Sequence, residues 1–180
     1  MDDIVKAAMA KWPDVPHCHG WLALDGRGDW YMRDERVQAA GAFPQVKGSR
    51  VTHEKLLGFI GRNYLADAQG AWYFQNGPQR VYVTLEATPW IWRVRWDVAA
   101  CRAELHGHTG VAPAAVHGAG LDEDGLLYLA TDRGLGRVHP QDLLDASQAL
   151  EAGQWPLDAQ PWPAQDLPAR FGFVREPRRG

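Results

Sequence analysis

The chain has 180 residues and a net charge of −3, so it can bury one or two cores but lacks the basic field that binds nucleic acid. No apolar run approaches the ~18 residues of a membrane span. The two cysteines are too few for a disulfide framework, and the acidic start at Met1 lacks the apolar segment of a signal peptide, so a cytoplasmic protein is predicted. Met9 is an alternative start, in which case Met1–Ala8 is expected to be a dispensable extension.

The first part of the chain predicts a short helix followed by a β-hairpin. Asp2 and Asp3 precede the stretch IVKAAMAKW, and acidic residues favour a helix N-terminus. Proline ends this helix, and His17-Cys18-His19 is predicted as a loop. Strands are predicted over Trp21–Leu24 and Asp29–Arg33, with an Asp-Gly-Arg-Gly turn between them.

The next segment predicts a loop and then an amphipathic helix. Ala39–Ser49 contains Gly, Pro and Ser without periodicity and is predicted as a loop. A helix over His53–Tyr64 is predicted, with Thr52 as its N-cap. Its apolar residues recur at helical spacing and form one face, with Phe59 at the edge: Leu56, Leu57, Ile60 and Tyr64.

An aromatic hairpin forms the centre of the chain. Strands are predicted over Ala71–Gln75 and Arg80–Leu85, because Asn-Gly-Pro between them supplies turn residues. In Pro89–Val94, Trp90, Trp92 and Val94 alternate with Ile91 and Arg93, as in a strand whose two faces differ in exposure to solvent, so a third strand is predicted there.

The second half predicts strands, turns and one helix. Strands are expected over Ala99–Leu105 and Leu126–Thr131, with a loop over His106–Gly120 and a turn over Asp132–Gly136. A helix is expected from Pro140 to about Leu150. Its predicted apolar face comprises Leu143, Leu144, Ser147 and Leu150.

The C-terminal segment is rich in proline and tryptophan. Gln154–Pro168 is predicted to be extended and to wrap the body of the protein, and Arg170–Val174 to form a last strand. The basic end is expected to fray.

One pattern, Asp-x-x-Gly-x-(aromatic or Leu)-Tyr, occurs at Asp25–Tyr31, Asp67–Tyr73 and Asp122–Tyr128. In each copy the Asp begins a turn and the Gly takes a positive φ. The first and third copies each lead through a turn into a predicted helix. The sequence therefore predicts an α+β fold of two related halves, each a small antiparallel sheet of β-hairpins with one packed helix. The expected division is a helical extension over residues 1–16, a first repeat over 17–97 and a second over 98–180.

Three stretches carry a resemblance: VTHEKLLGFIGRNY, DAQGAWYFQNGPQRVYVTLEATPWIWRV and DGLLYLATDRGLGRVHPQDLLDA. Across Gly20–Leu150 the chain resembles a proteobacterial domain-of-unknown-function family, in which an acidic-x-x-Pro-aromatic element corresponds to Glu86–Trp90. The resemblance implies a two-domain α+β fold of repeated motifs. It also implies a ligand-binding or signal-transduction role, although the biochemical function of the family is not established.

A polar cluster at the end of the aromatic hairpin is the leading candidate site. Uncharged hydrogen-bonding side chains and one arginine beside tryptophans suit a small polar or anionic ligand. Arg133 and Arg137 flank a Gly-Leu-Gly segment before a predicted helix, where free amides favour an anion. The predicted ligand-binding residues, which would meet in a cleft between the halves, are Tyr64, Trp72, Gln75, Asn76, Gln79, Arg80, Arg133 and Arg137.

Catalytic and metal signals are weak. The His-Cys-His and His-x-His segments lack the paired spacings of zinc signatures, and polar loop histidines are the better interpretation. Their members are His17, Cys18, His19, His106 and His108. Neither serine lies in a nucleophile elbow, and Cys18 is the better nucleophile candidate. No cofactor is predicted.

The leading hypothesis is therefore a non-enzymatic binding or regulatory module. Two alternatives remain open. One is a hydrolase that uses a bound metal or Cys18, and the other is a scaffold that presents Trp155–Pro168 to a protein partner.

Overall fold

The computed structural model describes residues 1–178, which divide into two units. Unit 1 contains Met1–Asp25, Asp29–Ala87 and, at the C-terminal end, residues 173–178. Unit 2 contains Gly26–Gly28 and Thr88–Gly172. The division along the chain thus falls at Ala87, whereas the predicted repeats divide after residue 97.

Unit 1 contains a six-stranded sheet in the order β3-β2-β1-β6-β5-β4, in which only β1 and β6 pair in parallel. Its strands are β1 (Cys18–Leu24), β2 (Trp30–Met32), β3 (Ser49–Arg50), β4 (Tyr64–Ala66), β5 (Trp72–Asn76) and β6 (Gln79–Leu85). Its helices are α1 (Asp3–Lys11), α2 (Glu35–Ala40) and α3 (Glu54–Arg62).

Unit 2 contains a five-stranded sheet in the order β8-β7-β11-β10-β9, in which only β7 and β11 pair in parallel. The strands are β7 (Trp90–Asp97), β8 (Arg102–Gly107), β9 (Val116–Leu121), β10 (Leu127–Thr131) and β11 (Gly134–Val138). A 3₁₀ turn over Pro140–Asp142 and helices α4 (Leu143–Glu151) and α5 (Leu167–Phe171) follow.

Apart from β3, which has no counterpart in unit 2, the two sheets have the same connectivity. Each begins with a hairpin, β1-β2 or β7-β8, and ends with a three-stranded meander, β4-β5-β6 or β9-β10-β11. In each, the last strand pairs in parallel with the first. The helices differ, because α3 precedes its meander and α4 follows its own. The mixed α+β class is confirmed, but the arrangement of one equivalent helix per half is not clearly shown.

The three Asp-x-x-Gly turns have similar geometry. In each, the Asp N–H donates to the carbonyl of the residue four positions on, and the Asp carboxylate accepts that residue's N–H. The glycines lie at φ +86°, +81° and +74°, a region that favours glycine. The predicted roles of the Asp, which begins each turn, and of the Gly, which takes a positive φ, are therefore confirmed.

The correspondence between the copies differs from the prediction. The Asp67 and Asp122 turns each join the first two strands of a meander, whereas the Asp25 turn lies within the β1-β2 hairpin. In connectivity the second copy therefore corresponds to the third. The pairing of the first copy with the third was wrong, because it relied on helices that occupy different positions in the two units.

Glycines in unit 2 were misread as loop signals. Gly134–Gly136 and the Val116–Gly120 part of the predicted loop are β-strands. The rings of Trp90 and Trp92 stack at 5.3 Å with an interplanar angle of 6°. A Cβ on Gly136 would overlap the indole of Trp92. The glycine is therefore required by packing rather than by a turn.

The C-terminal segment packs within unit 2. Trp155 and Trp162 are 9% and 3% exposed, and the segment bonds to β9 through Pro156, Asp158 and Trp162. Trp162 covers Gly120, which has no side chain to obstruct it. Of the residues predicted as a last strand, Arg170–Val174, the first two belong to helix α5 (Leu167–Phe171), and Val174 forms an isolated β-bridge with Ala71.

Several helix details also differ from the prediction. The N-cap of α3 is His53, whose Nδ1 accepts the Leu56 N–H at 3.3 Å, so Thr52 does not cap the helix. Helix α4 buries Ala146 and Ala149 and leaves Leu144 72% exposed, so the predicted apolar face was wrong. Helix α2 and strand β4 were not predicted, and Cys18 and His19 belong to β1 rather than to a loop.

The first helix is part of unit 1 rather than a dispensable extension. Val5 is 1% exposed, and the Asp2 N–H donates to Asn63 Oδ1 at 2.9 Å. Arg62 donates to the Asp2 carboxylate. Among residues 1–178, no helix is long and apolar enough to cross a membrane.

Candidate functional site: an apolar cavity in unit 1

A cavity of about 270 Å³ lies on one face of the unit 1 sheet. Register explains its lining, because Val81 pairs with both Cys18 and Phe74, and Leu22 pairs with Met32. Paired residues point to the same face of a sheet. The lining comprises Cys18, Trp21, Leu22, Met32, Val51, Leu56, Ile60, Phe74, Asn76, Gln79 and Val81.

Helix α3 forms one wall of the cavity. Leu56 and Ile60 lie four residues apart and therefore on the same helix face. That face matches the predicted apolar stripe, so the helix contributes the side chains that its spacing indicates. On the opposite side, Trp21 and Met32 remain 40% and 51% exposed and leave the cavity open to solvent.

The polar part of the lining is small and uncharged. The Gln79 amide donates to the Pro16 carbonyl at 2.8 Å, and Asn76 is exposed at the strand end. Cys18 contributes a free, half-buried thiol. The cavity can therefore surround an apolar group and offer it one hydrogen-bonding end.

The structure places only two predicted site residues, Asn76 and Gln79, in this cavity. Arg80 lies with its guanidinium 4.6 Å from the Tyr73 ring centre, and Trp72 is half-buried against Tyr64. Successive residues of a strand point to opposite faces, which separates the predicted cluster into two sets.

Tyr64 and Gln75 are core residues of unit 1. Tyr64 is 5% exposed, and burial raises the pKa of its hydroxyl well above the usual value. Gln75 is 1% exposed and donates to the Gly77 carbonyl at 2.8 Å. Both side chains therefore contribute to packing and to turn geometry.

The two predicted arginines lie in unit 2, at opposite ends of β11. Arg133 is exposed in the β10-β11 turn, 3.5 Å from Asp132. Arg137 donates to the Gly26 carbonyl. The Gly-Leu-Gly segment belongs to strand β11, and the 3₁₀ turn that leads into α4 begins only at Pro140, so these glycines do not lie at a helix N-terminus. The predicted helix-terminus anion site is therefore wrong as stated.

The histidines are dispersed. His17 and His19 contact the ring of Tyr82, and His106 is exposed on β8. Within the described part of the chain, no group of three or more His, Cys, Asp or Glu side chains could hold a metal ion.

His108 is an enclosed histidine in unit 2. Its ring Nδ1 accepts the Ile91 N–H at 3.3 Å, and the backbone N–H of His108 donates to the Ile91 carbonyl at 2.8 Å. Its Nε2 is inaccessible to solvent, although the residue as a whole is partly exposed. Burial lowers the pKa of His108 from 6.5 to about 3.

This shift predicts a loss of stability in acid. Between pH 6.5 and about 3, His108 takes up a proton in the unfolded chain but not in the folded one. The free energy of unfolding should therefore fall as the pH decreases, by up to about 1.4 kcal/mol per pH unit from this group. Urea unfolding from pH 7 to 4 measures the slope. His108→Asn retains an acceptor and should flatten it, whereas the exposed His106→Asn should not. Parallel curves for all three proteins would contradict the assignment.

Comparisons with known proteins identify a family but no activity. The family model DUF2944, described as "Protein of unknown function (DUF2946)", matches residues 1–178. No curated protein matches the chain.

Among solved structures, the chain is similar to two DUF1285 family proteins. The protein from Shewanella baltica OS155 is 14% identical with a TM-score of 0.48, over 71% of this chain and 90% of that one. The protein from Silicibacter pomeroyi DSS-3 is 10% identical with a TM-score of 0.45, over 69% of this chain and 66% of that one. Since the family model covers nearly the whole sequence, the chain belongs to the DUF2944 family of proteins of unknown function.

Proposed function

We propose that unit 1 is a binding module for a small, uncharged and largely apolar molecule, held in the cavity between α3 and the sheet. The observation that carries the proposal is the cavity itself, which has apolar walls and a small polar end. A regulatory role in the cytoplasm fits such a module. The free thiols of Cys18 and Cys101 support a reducing compartment.

The lining chemistry favours a neutral ligand. Among the described residues, those lining the cavity include no Asp, Glu, Lys or Arg side chain. Burying a charge without a partner costs several kcal/mol or more, so a charged group would be excluded. The small polar or anionic ligand expected from the sequence is therefore replaced, for this cavity, by an apolar one with one hydrogen-bonding group.

The volume favours a small ligand. About 270 Å³ lies just below the ~300–1,000 Å³ typical of drug-sized ligand sites. Each buried methylene contributes about 0.8 kcal/mol, or roughly fourfold in affinity. Affinity should rise with chain length until the cavity is full.

Primary alcohols from butanol to decanol test this prediction. In a Cys101→Ser background, Cys18 is the sole thiol, because the chain has two cysteines. Bound alcohol should protect Cys18 from a small neutral reagent, methyl methanethiosulfonate, as followed by mass spectrometry. We expect saturable protection that strengthens about fourfold per methylene and then stops increasing at a defined length.

A pair of variants supplies the control. Leu56→Phe enlarges a side chain that lines the cavity, so the length limit should fall to shorter alcohols. Leu144→Phe makes the same change at a 72% exposed site in α4 and should leave the limit unchanged. Absence of protection, or the same length dependence in both variants, would refute the proposal.

The structure offers less support for the alternatives. The tryptophans of the scaffold hypothesis, Trp155 and Trp162, are buried within unit 2 and do not form an exposed strip. Cys18 has no histidine hydrogen-bonded to its sulfur in the part of the chain that the structure describes, as nucleophilic activation would require.

A further inference from the structure

Basic side chains cluster on one face of the unit 2 sheet. None of them lines the cavity of unit 1. Arg137 pairs with Ile91 across β11 and β7, and Arg93 follows Ile91 by two residues. His139 follows Arg137 by two residues in extended conformation, with φ −61° and ψ 134°. Because side chains two residues apart share a face, Arg93, Arg137 and His139 lie on the same side.

Arg93 in this cluster is neutralised. Its Nε and Nη2 donate to the Asp142 carboxylate at 2.5 and 3.0 Å, in a bidentate pair. The same carboxylate accepts the Val94 N–H at 3.1 Å. Arg93 and Asp142 therefore satisfy each other.

Arg137 is different. Its Nη2 donates to the carbonyl of Gly26, and its guanidinium lies where a Gly26 side chain would project. Its Nε is inaccessible to solvent and has no hydrogen-bond partner among residues 1–178. In that same range no carboxylate lies within ion-pair distance of Arg137. Buried charged donors are normally hydrogen-bonded. The Nε–H of Arg137 is therefore a donor that could bind an additional acceptor.

His139 supplies a second donor. It is 7% exposed, and its Nδ1 accepts the Gln141 N–H at 3.2 Å, which assigns the ring proton of the neutral form to Nε2. Burial lowers the pKa of His139, and the charges of Arg93, Arg27 and Arg137 lower it further against the opposing effect of Asp142. The local field around this ring is therefore positive.

We propose that Arg137 and His139 form a binding site for a small oxyanion, of which inorganic phosphate is the simplest example. Two residues along an extended chain separate their Cα atoms by about 6.6 Å. A tetrahedral oxyanion can accept from both side chains across that separation through different oxygens, at about 2.7–2.9 Å from each nitrogen. The site lies in unit 2 and does not depend on the ligand of the unit 1 cavity.

Phosphate titration of the full chain, followed by NMR of the His139 imidazole, tests the site. Comparison with His139→Gln assigns the resonance. Wild-type protein should show a saturable shift with phosphate, and sodium chloride at the same ionic strength should not produce it. Arg137→Met should weaken binding at least tenfold, whereas Arg133→Gln, at the exposed end of the same strand, should change it less than twofold.

Arg137→Lys separates binding from folding, since lysine keeps the charge and one donor but loses the guanidinium fork. It should fold and bind phosphate with reduced affinity, and the backbone NMR spectrum checks its fold. Equal binding by Arg137→Met and wild type, or a shift that chloride reproduces, would overturn the proposal. Neither outcome bears on alcohol binding in unit 1, so the two proposals fail independently.

Discussion

Asp122→Ala is expected to destabilise the protein by about 3–5 kcal/mol. Asp122 is 6% exposed, and its carboxylate accepts the N–H groups of Asp124 and Leu126 at 3.0 and 2.8 Å. It also accepts the hydroxyl of Tyr128 at 2.7 Å. Alanine would remove one carboxylate that accepts from all three donors, of which the Tyr128 hydroxyl lies in a buried hydrogen bond.

Urea unfolding measures this loss, and Asp124→Ala is the matched control. Asp124 lies in the same turn, is exposed, and contributes its N–H rather than its carboxylate to the turn. Its replacement should change stability by less than about 0.5 kcal/mol. Similar losses for both variants would contradict the prediction, because they would show that the buried hydrogen bonds of Asp122 stabilise the turn no more than the exposed Asp124 side chain does.

Trp92→Ala should cost a comparable amount, about 3–5 kcal/mol. Trp92 is fully buried, stacks on Trp90, and donates from Nε1 to the Leu129 carbonyl at 3.3 Å. Its removal leaves a large cavity beneath Gly136, which has no side chain to fill it.

Trp12→Ala is the comparison for this variant, because Trp12 is 51% exposed at the end of α1 and contacts Lys11. The loss there should stay below about 1 kcal/mol. Differential scanning calorimetry of both variants measures the contrast. If Trp92→Ala cost less than 1 kcal/mol, the stacked pair would not be a principal element of the unit 2 core.

Local physics was sufficient to predict the three Asp-x-x-Gly turns and the strand that follows each of them, but not the strands β4 and β9 that precede two of them. An Asp that accepts backbone N–H groups and a Gly at positive φ need only neighbouring residues, and the turn at Asp67 could therefore be predicted. The long-range parallel pairs β1-β6 and β7-β11 could not, since no feature of either strand specifies its partner.

Glycine in unit 2 shows why other predictions failed. Gly120 leaves room for the ring of Trp162, and Gly136 leaves room for the ring of Trp92 on the neighbouring strand. Because these contacts are not local, the prediction of loops from these glycines was wrong. Similarly, Leu143 and Leu144 were predicted on the apolar face of α4, but the buried residues of this helix are Ala146 and Ala149. Tertiary packing overrode the local pattern.

The candidate site was predictable only in part. Asn76 and Gln79 were found from their place beside an aromatic hairpin, but the cavity depends on the gap between α3 and β1, which spacing does not encode. Alternation of side chains along β1 could have placed Cys18 and Leu22 on the cavity face. The bulge near Gly20 interrupts that alternation and obscured this signal.

The return of the chain end to unit 1 has a consequence for biosynthesis. Val174 pairs with Ala71, and the Leu85 N–H donates to the Arg175 carbonyl. These contacts join residues about a hundred positions apart, so unit 1 cannot be complete until the chain has been synthesised through Arg175. Until residues 174 and 175 emerge, the Gly70 carbonyl and the Leu85 N–H of the N-terminal sheet lack these partners, whereas all the strands of unit 2 have been synthesised earlier. The order of synthesis and the order of completion are reversed in this protein.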